Sequence, residues 1–200
     1  VTQPSVREIV TERCRSVGAT LHFITPKPTD TFQQINEACA KTAVSLLTGQ
    51  PVPEKASWTI PLPARLELMQ QQPTVIVDGA HNPDKMAATA QAIYTAHPDK
   101  HPIVVFAAKA GKDVGDMLPS LLQKAKCLIV SEFEPKGLWK PTDAEELAAM
   151  ARERWPHLEV YVERQPKTAV SLALSLAQPD DLVWITGSLY FAGDARSRWY

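Results

Sequence analysis

With 200 residues and a formal net charge of -1, the chain lacks the excess of basic residues that nucleic-acid-binding proteins carry. No stretch reaches the roughly 20 apolar residues that a membrane-spanning helix needs, and no signal peptide is visible. The three cysteines, Cys14, Cys39 and Cys127, lie far apart and show neither metal-ligand spacing nor a disulfide framework. We therefore expect a cytosolic (cytoplasmic) protein that binds neither nucleic acid nor membrane.

The first 48 residues predict a helix, a strand and a second helix, in that order. Apolar residues recur at helical spacing in 5–17 and again in 31–47, and the stretch 19–24 is typical of a short strand. Three elements of this size cannot enclose a hydrophobic core by themselves. We therefore expect 1–48 to be the end of a preceding domain, in a chain that is a fragment of a longer protein.

Proline marks the boundary to a second domain. Four of the seventeen prolines fall within 49–63, which indicates an extended connection between domains. We expect 49–66 to be an interdomain linker that ends in a hinge, and 67–200 to form the second domain.

The second domain alternates short apolar strands with helices. Helices follow the strands that are predicted at 75–77, 102–107, 127–130, 158–162 and 182–185. This alternation is typical of an α/β fold in which helices cover a mostly parallel sheet. We expect a Rossmann-like domain of this kind, preceded by the helix-strand-helix remnant of the first domain.

The stretch 74–83, with the sequence TVIVDGAHNP, places an acid and an imidazole between a strand and a helix. The strand ends at Asp78, and Asn82 and Pro83 are residue types preferred at the cap and the first position of a helix. Ligands of open α/β sheets bind at the carboxyl ends of the strands, and a helix N-terminus favours phosphate. We expect Asp78 and His81 to face such a crevice. The alternative is that both side chains only cap the turn.

Two further loops carry candidate site residues. The turn 186–188, which ends at Ser188, can hold an anion on its backbone N–H groups, although it is also compatible with a simple tight turn. Loop 108–113 offers Lys109, Lys112 and Asp113, and its alternative is a solvated loop. The sequence contains no Walker phosphate loop, no dinucleotide-binding glycine motif, no Cys/His metal cluster and no nucleophile elbow.

Two motifs of the second domain resemble one enzyme family. VDGAHNP at 77–83 and TGSLYFAGDAR at 186–196 are similar to motifs in the C-terminal domain of folylpolyglutamate synthase / dihydrofolate synthase, within the Mur ligase superfamily. The segment LPARLE at 62–67 also resembles the family's LPGRLE, with Ala64 in place of glycine. The resemblance covers the whole chain and implies the fold of a Mur ligase C-terminal domain.

Two other segments resemble family motifs less completely. FQQIN at 32–36 is similar to the family's HQxxN, with Phe32 in place of histidine. The loop AGKD at 110–113 departs from the family's DKD, because Gly111 replaces the first aspartate. Taken over the whole chain, the resemblance implies that 1–48 is the C-terminal end of a central ATP-binding domain and that 49–66 contains the hinge.

The resemblance also implies an activity. ATP phosphorylates the carboxylate of a folate or of dihydropteroate, and the amine of L-glutamate then displaces the phosphate to form an amide. The family's phosphate loop and its Mg²⁺ ligands lie in the central domain, upstream of Val1. We therefore expect this fragment alone to be inactive, and we assign no catalytic residue within it.

The resemblance assigns four residues to the nucleotide. It implies that Asn36 faces the adenine, that Arg65 contacts the nucleotide at the hinge, and that Asp78 accepts hydrogen bonds from the ribose or from a basic group. It places His81 beside the phosphates.

The remaining expectations concern the substrate contacts and two alternative functions. We expect Ser188, Lys112 and Asp113 to contact substrate, and we expect a monomer. The first alternative is a Mur-type amide ligase of cell-wall synthesis. The second is a binding module that has lost its ATPase.

Overall fold

The computed structural model describes residues 4–27, 30–53, 62–135 and 137–200. The chain divides into two compact units, Val1–Thr59 and Ile60–Tyr200. Residues 54–61 of the predicted linker lie outside the described part, so the predicted domain limits stay predictions. Within the described ranges, no helix combines the length and the apolar character that crossing a membrane requires.

Among its described residues, the first unit forms two helices, α1 (Pro4–Val17) and α2 (Phe32–Thr48). Helix α2 begins at a capping box in which Thr31 and Gln34 satisfy each other's backbone N–H groups, and it ends at Gly49, whose φ is 67°. The strand predicted at 19–24 is not formed, so that prediction is wrong. A strand needs a neighbouring strand to receive its backbone hydrogen bonds, and the described part of this unit provides none.

The second unit is an α/β domain, as the alternation of elements predicts. Its elements in chain order are β1 (Glu67–Gln71), β2 (Thr74–Val77), α3 (Pro83–Ala96), β3 (Ile103–Phe106), α4 (Val114–Leu122), β4 (Cys127–Val130), α5 (Ala144–Arg154), β5 (Glu159–Val162), α6 (Pro166–Leu176), β6 (Leu182–Thr186) and α7 (Leu189–Arg196).

The six strands form one sheet in the order β1-β2-β6-β3-β4-β5. Five strands are parallel, and β1 pairs antiparallel with β2 at the edge. The mostly parallel α/β fold is therefore confirmed. The sequence pattern missed β1, whose residues ELMQQ lack β-branched side chains and are only partly buried, as befits an edge strand.

Alternate residues of each parallel strand point to opposite faces of the sheet. Val104 and Phe106 of β3 belong to the core that α3, α4 and α5 cover, whereas Ile103 and Val105 belong to the core under α6 and α7. Because both faces are covered, the central strands are apolar throughout. Because these strands are parallel, the loops that follow them lie together at the carboxyl ends of the strands, which is the position of the candidate site.

Candidate functional site

Asp78 follows β2 directly and is buried, with an exposed fraction of 2%. Its Oδ1 accepts hydrogen bonds from the Ala80 amide at 2.7 Å and from the Thr89 hydroxyl at 3.2 Å, and its Oδ2 accepts one from the Leu66 amide at 3.0 Å. The expectation that this carboxylate faces an open crevice is therefore wrong. The three protein donors hold the end of β2, the start of α3 and the turn before β1 together. A contact of Asp78 with nucleotide remains a prediction.

The turn before β1 presents Arg65 between two residues in the left-handed backbone region. Ala64 has φ 53° and Leu66 has φ 48°, a conformation that costs an L-residue roughly 1–2 kcal/mol. Two carboxylates hold the turn in this conformation. The Ala64 amide donates to Glu67 Oε2 at 2.7 Å, and the Leu66 amide donates to Asp78 Oδ2. The Gly79 amide also donates to the Ala64 carbonyl at 2.9 Å.

The Arg65 side chain is half-buried beside Gly79. Its Nη1 donates to the Ala64 carbonyl at 3.1 Å, and no carboxylate of the described residues lies within ion-pair distance of the guanidinium. A Cβ on Gly79 would overlap the Leu189 side chain and lie 3.0 Å from Arg65 Nη1. The missing side chain of Gly79 therefore lets Leu189 pack against the backbone, with the Arg65 guanidinium close beside it. The guanidinium retains N–H donors that have no partner among the described residues.

His81 lies on the other side of Gly79, at the start of α3. Its Nδ1 is 2.7 Å from the Gly79 carbonyl, so Nδ1 carries the hydrogen, and its Nε2 is 3.2 Å from Lys85 Nζ. The Asn82 side chain accepts from the Lys85 amide and caps α3, and Pro83 occupies the first turn, as predicted. This arrangement turns the Nε2 lone pair toward an ammonium group at a helix N-terminus.

The turn after β6 carries Ser188 as the cap of α7. Its hydroxyl accepts a hydrogen bond from the Tyr190 amide at 3.2 Å, and the residue is buried. Gly187 has φ 109°, and a Cβ there would overlap the Ala107 carbonyl and the Phe106 ring. Glycine is therefore required at this turn. The oxygen of Ser188 serves the helix cap in this structure, so its contact with substrate stays a prediction.

The loop after β3 places Lys112 and Asp113 in an exposed position. Asp113 caps α4 by accepting from the Asp116 amide at 3.2 Å. The loop is paired with the segment that precedes α5, since the Ala110 amide donates to the Lys140 carbonyl at 2.9 Å. The Lys112 ammonium projects from a loop that is fixed at both ends.

The structure brings three of the predicted nucleotide residues together. Arg65, Asp78 and His81 surround Gly79, and Ser188 begins the helix whose Leu189 contacts Gly79. Lys112 and Asp113 follow β3, which is separated from β2 by β6. Asn36 is exposed on α2 and belongs to the other unit.

Glu67 and Arg196 have a role that the sequence patterns did not reveal. Arg196 Nη2 is 2.7 Å from Glu67 Oε1, and Arg196 Nε is 2.7 Å from Glu67 Oε2. Burial opposes ionisation of Glu67, but hydrogen bonds from Arg196 and from the Ala64 amide outweigh it, so the pKa of Glu67 lies below its usual value. The only signal in the sequence is that these opposite charges occur in the two motifs LPARLE and TGSLYFAGDAR.

Comparison with known proteins identifies the family. The model of the Mur ligase, glutamate ligase domain, matches residues 64–189. A probable bifunctional folylpolyglutamate synthase/dihydropteroate synthase of Halobacterium salinarum is 35% identical over 144 residues, which cover 68% of this chain and 16% of the relative. The dihydrofolate synthase/folylpolyglutamate synthase of Bacillus subtilis is 28% identical over 144 residues, which cover 72% of this chain and 31% of the relative.

A solved structure agrees with this result. The folylpolyglutamate synthase of Mycobacterium tuberculosis, complexed with ADP and AMPPCP, superimposes with a TM-score of 0.83 and 26% sequence identity, covering 98% of this chain and 53% of that protein. The chain thus spans less than a third of the curated relatives named here and about half of the solved enzyme. The chain belongs to the Mur ligase family, whose glutamate ligase domain it carries, and its similarity to a folylpolyglutamate synthase extends over nearly its whole length.

Proposed function

We propose that this chain is part of an ATP-dependent ligase that adds L-glutamate to a folate or to dihydropteroate. The observation that carries the proposal is the half-buried Arg65 guanidinium, which lies beside Gly79 and has no carboxylate partner among the described residues. A guanidinium with unpaired donors beside a helix N-terminus suits phosphate or ribose oxygens. The names of the relatives and the nucleotides bound to the solved enzyme support the same activity.

The chemistry requires activation of a carboxylate, because a carboxylate ion is a poor electrophile toward an amine. ATP supplies the phosphoryl group that becomes the leaving group. In this proposal Arg65 binds and orients the nucleotide, and Asn36 contacts the adenine. Asp78 positions Arg65 by holding the Leu66 amide, in addition to any contact of its own with the ribose.

His81 has a narrower role in this proposal. Its Nδ1 hydrogen is directed to the Gly79 carbonyl, and its Nε2 accepts from Lys85, so the phosphate-facing cation at the start of α3 is the Lys85 ammonium as oriented by His81. Electrostatic preorganisation of this kind stabilises charge that develops on a transferring phosphoryl group.

The second substrate is an amino acid with two carboxylates, and the loops after β3 and β6 suit it. Lys112 is an exposed ammonium that can pair with one carboxylate, and Ser188 retains its hydroxyl hydrogen for another oxygen. Asp113 holds the start of α4 and attracts the ammonium of the amino acid. We place L-glutamate at these loops.

Metal binding is the part of the chemistry that the described residues do not supply. No group of three or more His, Cys, Asp and Glu side chains in the described ranges could hold a metal ion. No step of the reaction is therefore assigned to Mg²⁺ on these residues, although the proposed ATP substrate carries it. The proposal further includes a cytosolic monomer, in line with three cysteines that form no disulfide.

A second candidate function has one observation in its favour. The UDP-N-acetylmuramyl-tripeptide synthetase of Leifsonia xyli subsp. xyli is 28% identical over 131 residues, which cover 63% of this chain and 25% of that enzyme. The same domain therefore also suits a ligase that extends a peptide on a nucleotide-linked sugar. The two candidates differ in the carboxylate that they activate, not in their use of ATP.

The test is ATP-dependent incorporation of a labelled amino acid by the full-length protein that contains this chain, with L-glutamate and a mixture of other amino acids supplied in separate reactions. Dihydropteroate, tetrahydrofolate and a UDP-linked muramoyl dipeptide are offered separately. We expect incorporation with a pterin substrate, a raised KM for ATP in Arg65→Ala, and a raised KM for glutamate in Lys112→Ala.

Two variants serve as matched controls. Arg152→Ala removes an exposed arginine that donates to the Val160 carbonyl on the far side of the sheet, and Lys167→Ala removes an exposed lysine of α6. Both should leave the kinetics unchanged. Incorporation into the muramoyl substrate alone would replace the first candidate with the second, and no ATP-dependent incorporation with any substrate would refute both.

A further inference from the structure

We propose that the ion pair between Arg196 and Glu67 is a positioning device for Arg65. The pair holds the turn at 63–66 in the strained form that directs the Arg65 guanidinium over Gly79. Arg196 is therefore a positioning residue for the nucleotide, although it lies at the opposite end of α7 from the Ser188 turn. This inference rests on the proposed contact between Arg65 and the nucleotide.

The turn needs an external restraint because of its backbone. Ala64 and Leu66, on the two sides of Arg65, have positive φ angles although neither is a glycine, so both carry backbone strain. Non-glycine residues persist in this region only where the surrounding structure over-determines them. Without a restraint, the backbone would relax toward negative φ and carry the Arg65 side chain away from Gly79.

Glu67 supplies half of the restraint directly. Its Oε2 accepts the Ala64 amide at 2.7 Å, and the same oxygen is 2.7 Å from Arg196 Nε. The Glu67 carboxylate therefore holds Ala64 only in the orientation that Arg196 dictates. The Asp78 carboxylate holds Leu66 from the other side and completes the clamp.

The geometry of the pair explains why an arginine is present. Two nitrogens of one planar guanidinium meet the two oxygens of one carboxylate, and both side chains are about one-fifth exposed. Arg196 Nη2 donates a hydrogen bond to Glu67 Oε1, whereas Arg196 Nε lies close to Oε2 as an ion-pair contact without hydrogen-bond geometry. A planar guanidinium can make both contacts at once, which a single lysine ammonium cannot do. Both contacts matter here because Glu67 must present one oxygen to the Ala64 amide at the same time.

Helix α7 links this clamp to the site. Its last residue is Arg196, and its first residue, Leu189, occupies the space above Gly79 that a Cβ would fill. The helix therefore touches the Arg65 region at two points, through an ion pair and through an apolar contact. A shift of α7 would change the turn and the guanidinium together.

A double-mutant cycle separates positioning from general support of the fold. The full-length protein is prepared as Arg196→Gln, Arg65→Ala and the double variant, and the KM and kcat for ATP-dependent glutamate incorporation are measured. We expect Arg196→Gln to raise the KM for ATP roughly tenfold, equivalent to about 1.4 kcal/mol, with a smaller change in kcat. The same substitution should have no further effect when Arg65 is already alanine.

Two additional variants sharpen the cycle. Arg196→Lys keeps the charge and loses the planar fork, so its KM should lie between the values of the wild type and Arg196→Gln. Lys126→Gln breaks a comparable ion pair with Asp181 (2.8 Å) at the amino ends of β4 and β6, away from the carboxyl ends that carry the site, and should leave the KM unchanged. An equal rise in KM in both Arg65 backgrounds, or a fall in Tm without a change in KM, would overturn the positioning role.

Hydrogen exchange gives a readout that does not depend on the activity. In the nucleotide-free protein, Arg196→Gln should accelerate exchange of the Ala64 amide, whereas Lys126→Gln should not. Suppose that Arg196→Gln accelerates exchange at Ala64 but the wild-type protein neither binds nor uses ATP. The inferred restraint on the turn would then stand, and the proposed function would be refuted instead. Unchanged exchange at Ala64 would refute the clamp, whatever the activity.

Discussion

The Asp78 carboxylate accepts a hydrogen bond of 3.0 Å from the amide of Leu66, twelve residues before it in the sequence. This bond joins the carboxyl end of β2 to the turn that carries Arg65. The same carboxylate also receives the Ala80 amide and the Thr89 hydroxyl of the segment that follows. One buried acid thus fixes the positions of two segments that are proposed to bind a nucleotide.

Replacement of Asp78 is expected to affect both stability and nucleotide binding. In Asp78→Ala, the amides of Leu66 and Ala80 lose a charged acceptor in a buried position, which should lower the free energy of unfolding by about 2–3 kcal/mol. The turn at Arg65 loses one side of its clamp, so the KM for ATP should rise as well. Urea denaturation and steady-state kinetics of the full-length protein measure the two effects.

Asp99→Ala provides the control for this experiment, because Asp99 is an exposed aspartate in the loop between α3 and β3. It should change neither quantity. If Asp78→Ala raised the KM while the unfolding midpoint stayed at the wild-type value, the hydrogen bonds described above would not be what makes Asp78 important.

Gly79 is expected to tolerate no side chain. A Cβ would overlap Leu189 and approach Arg65 Nη1, so Gly79→Ala should destabilise the protein by about 1–3 kcal/mol and raise the KM for ATP. Leu189→Ala added to Gly79→Ala should restore part of the stability, because it removes the overlapping methyl groups.

Gly193 offers a matched control on α7, since no atom lies within 4 Å of a Cβ built there. Gly193→Ala should stabilise the helix by about 0.5–1 kcal/mol and leave the kinetics unchanged. Equal behaviour of the two glycine variants would show that the close approach at Gly79 is not needed.

The sequence predicts the central part of the fold well because its signals are local. Apolar runs such as 103–106 and 127–130 are buried on both faces, and Asn82 with Pro83 begins α3 as its residue types predict. The edge strand β1 has no such signal. Its residues form a strand only because β2 offers a free edge, which is a tertiary property.

The candidate site is predictable in its residues and less so in its geometry. The stretch 74–83 identifies Asp78 and His81, but no local pattern shows that the Asp78 carboxylate is buried under the Leu66 amide. Nor does the pattern connect Glu67 to Arg196, which is 129 residues away in the sequence. Contacts between residues so far apart in the sequence form only when the strands and helices of the whole domain have assembled.

The Glu67–Arg196 pair predicts a defined pH dependence of stability. Since the pKa of Glu67 is lower in the folded protein than its usual value, the ionised form is favoured by folding. Its contribution is fully present above the usual pKa and is lost as the pH falls through the lowered one. Glu67→Gln should therefore reduce stability at neutral pH and make the decline of stability below pH 5 less steep.

Unfolding by urea at several pH values measures this effect. The relevant quantity is the difference between wild type and Glu67→Gln, because other carboxylates with lowered pKa values, such as Asp143 and Asp181, contribute equally to both proteins. A difference that stayed constant from neutral pH into the acid range would contradict the assigned cause.

The last prediction concerns the reactivity of the cysteines. Cys127 begins β4 and is 4% exposed, and burial, followed by the nearby Glu159 carboxylate, raises the pKa of its thiol to about 11. Only the thiolate reacts with alkylating reagents, so roughly one Cys127 thiol in 10,000 is available at pH 7.

Cys39 is exposed on α2 and should react first, with Cys14 following because it is half-buried. Peptide mass spectrometry after brief treatment with iodoacetamide distinguishes the three sites, and the same treatment in urea should label all of them equally. Rapid labelling of Cys127 in the native protein would mean that β4 opens far more often than its buried position between β3 and β5 allows.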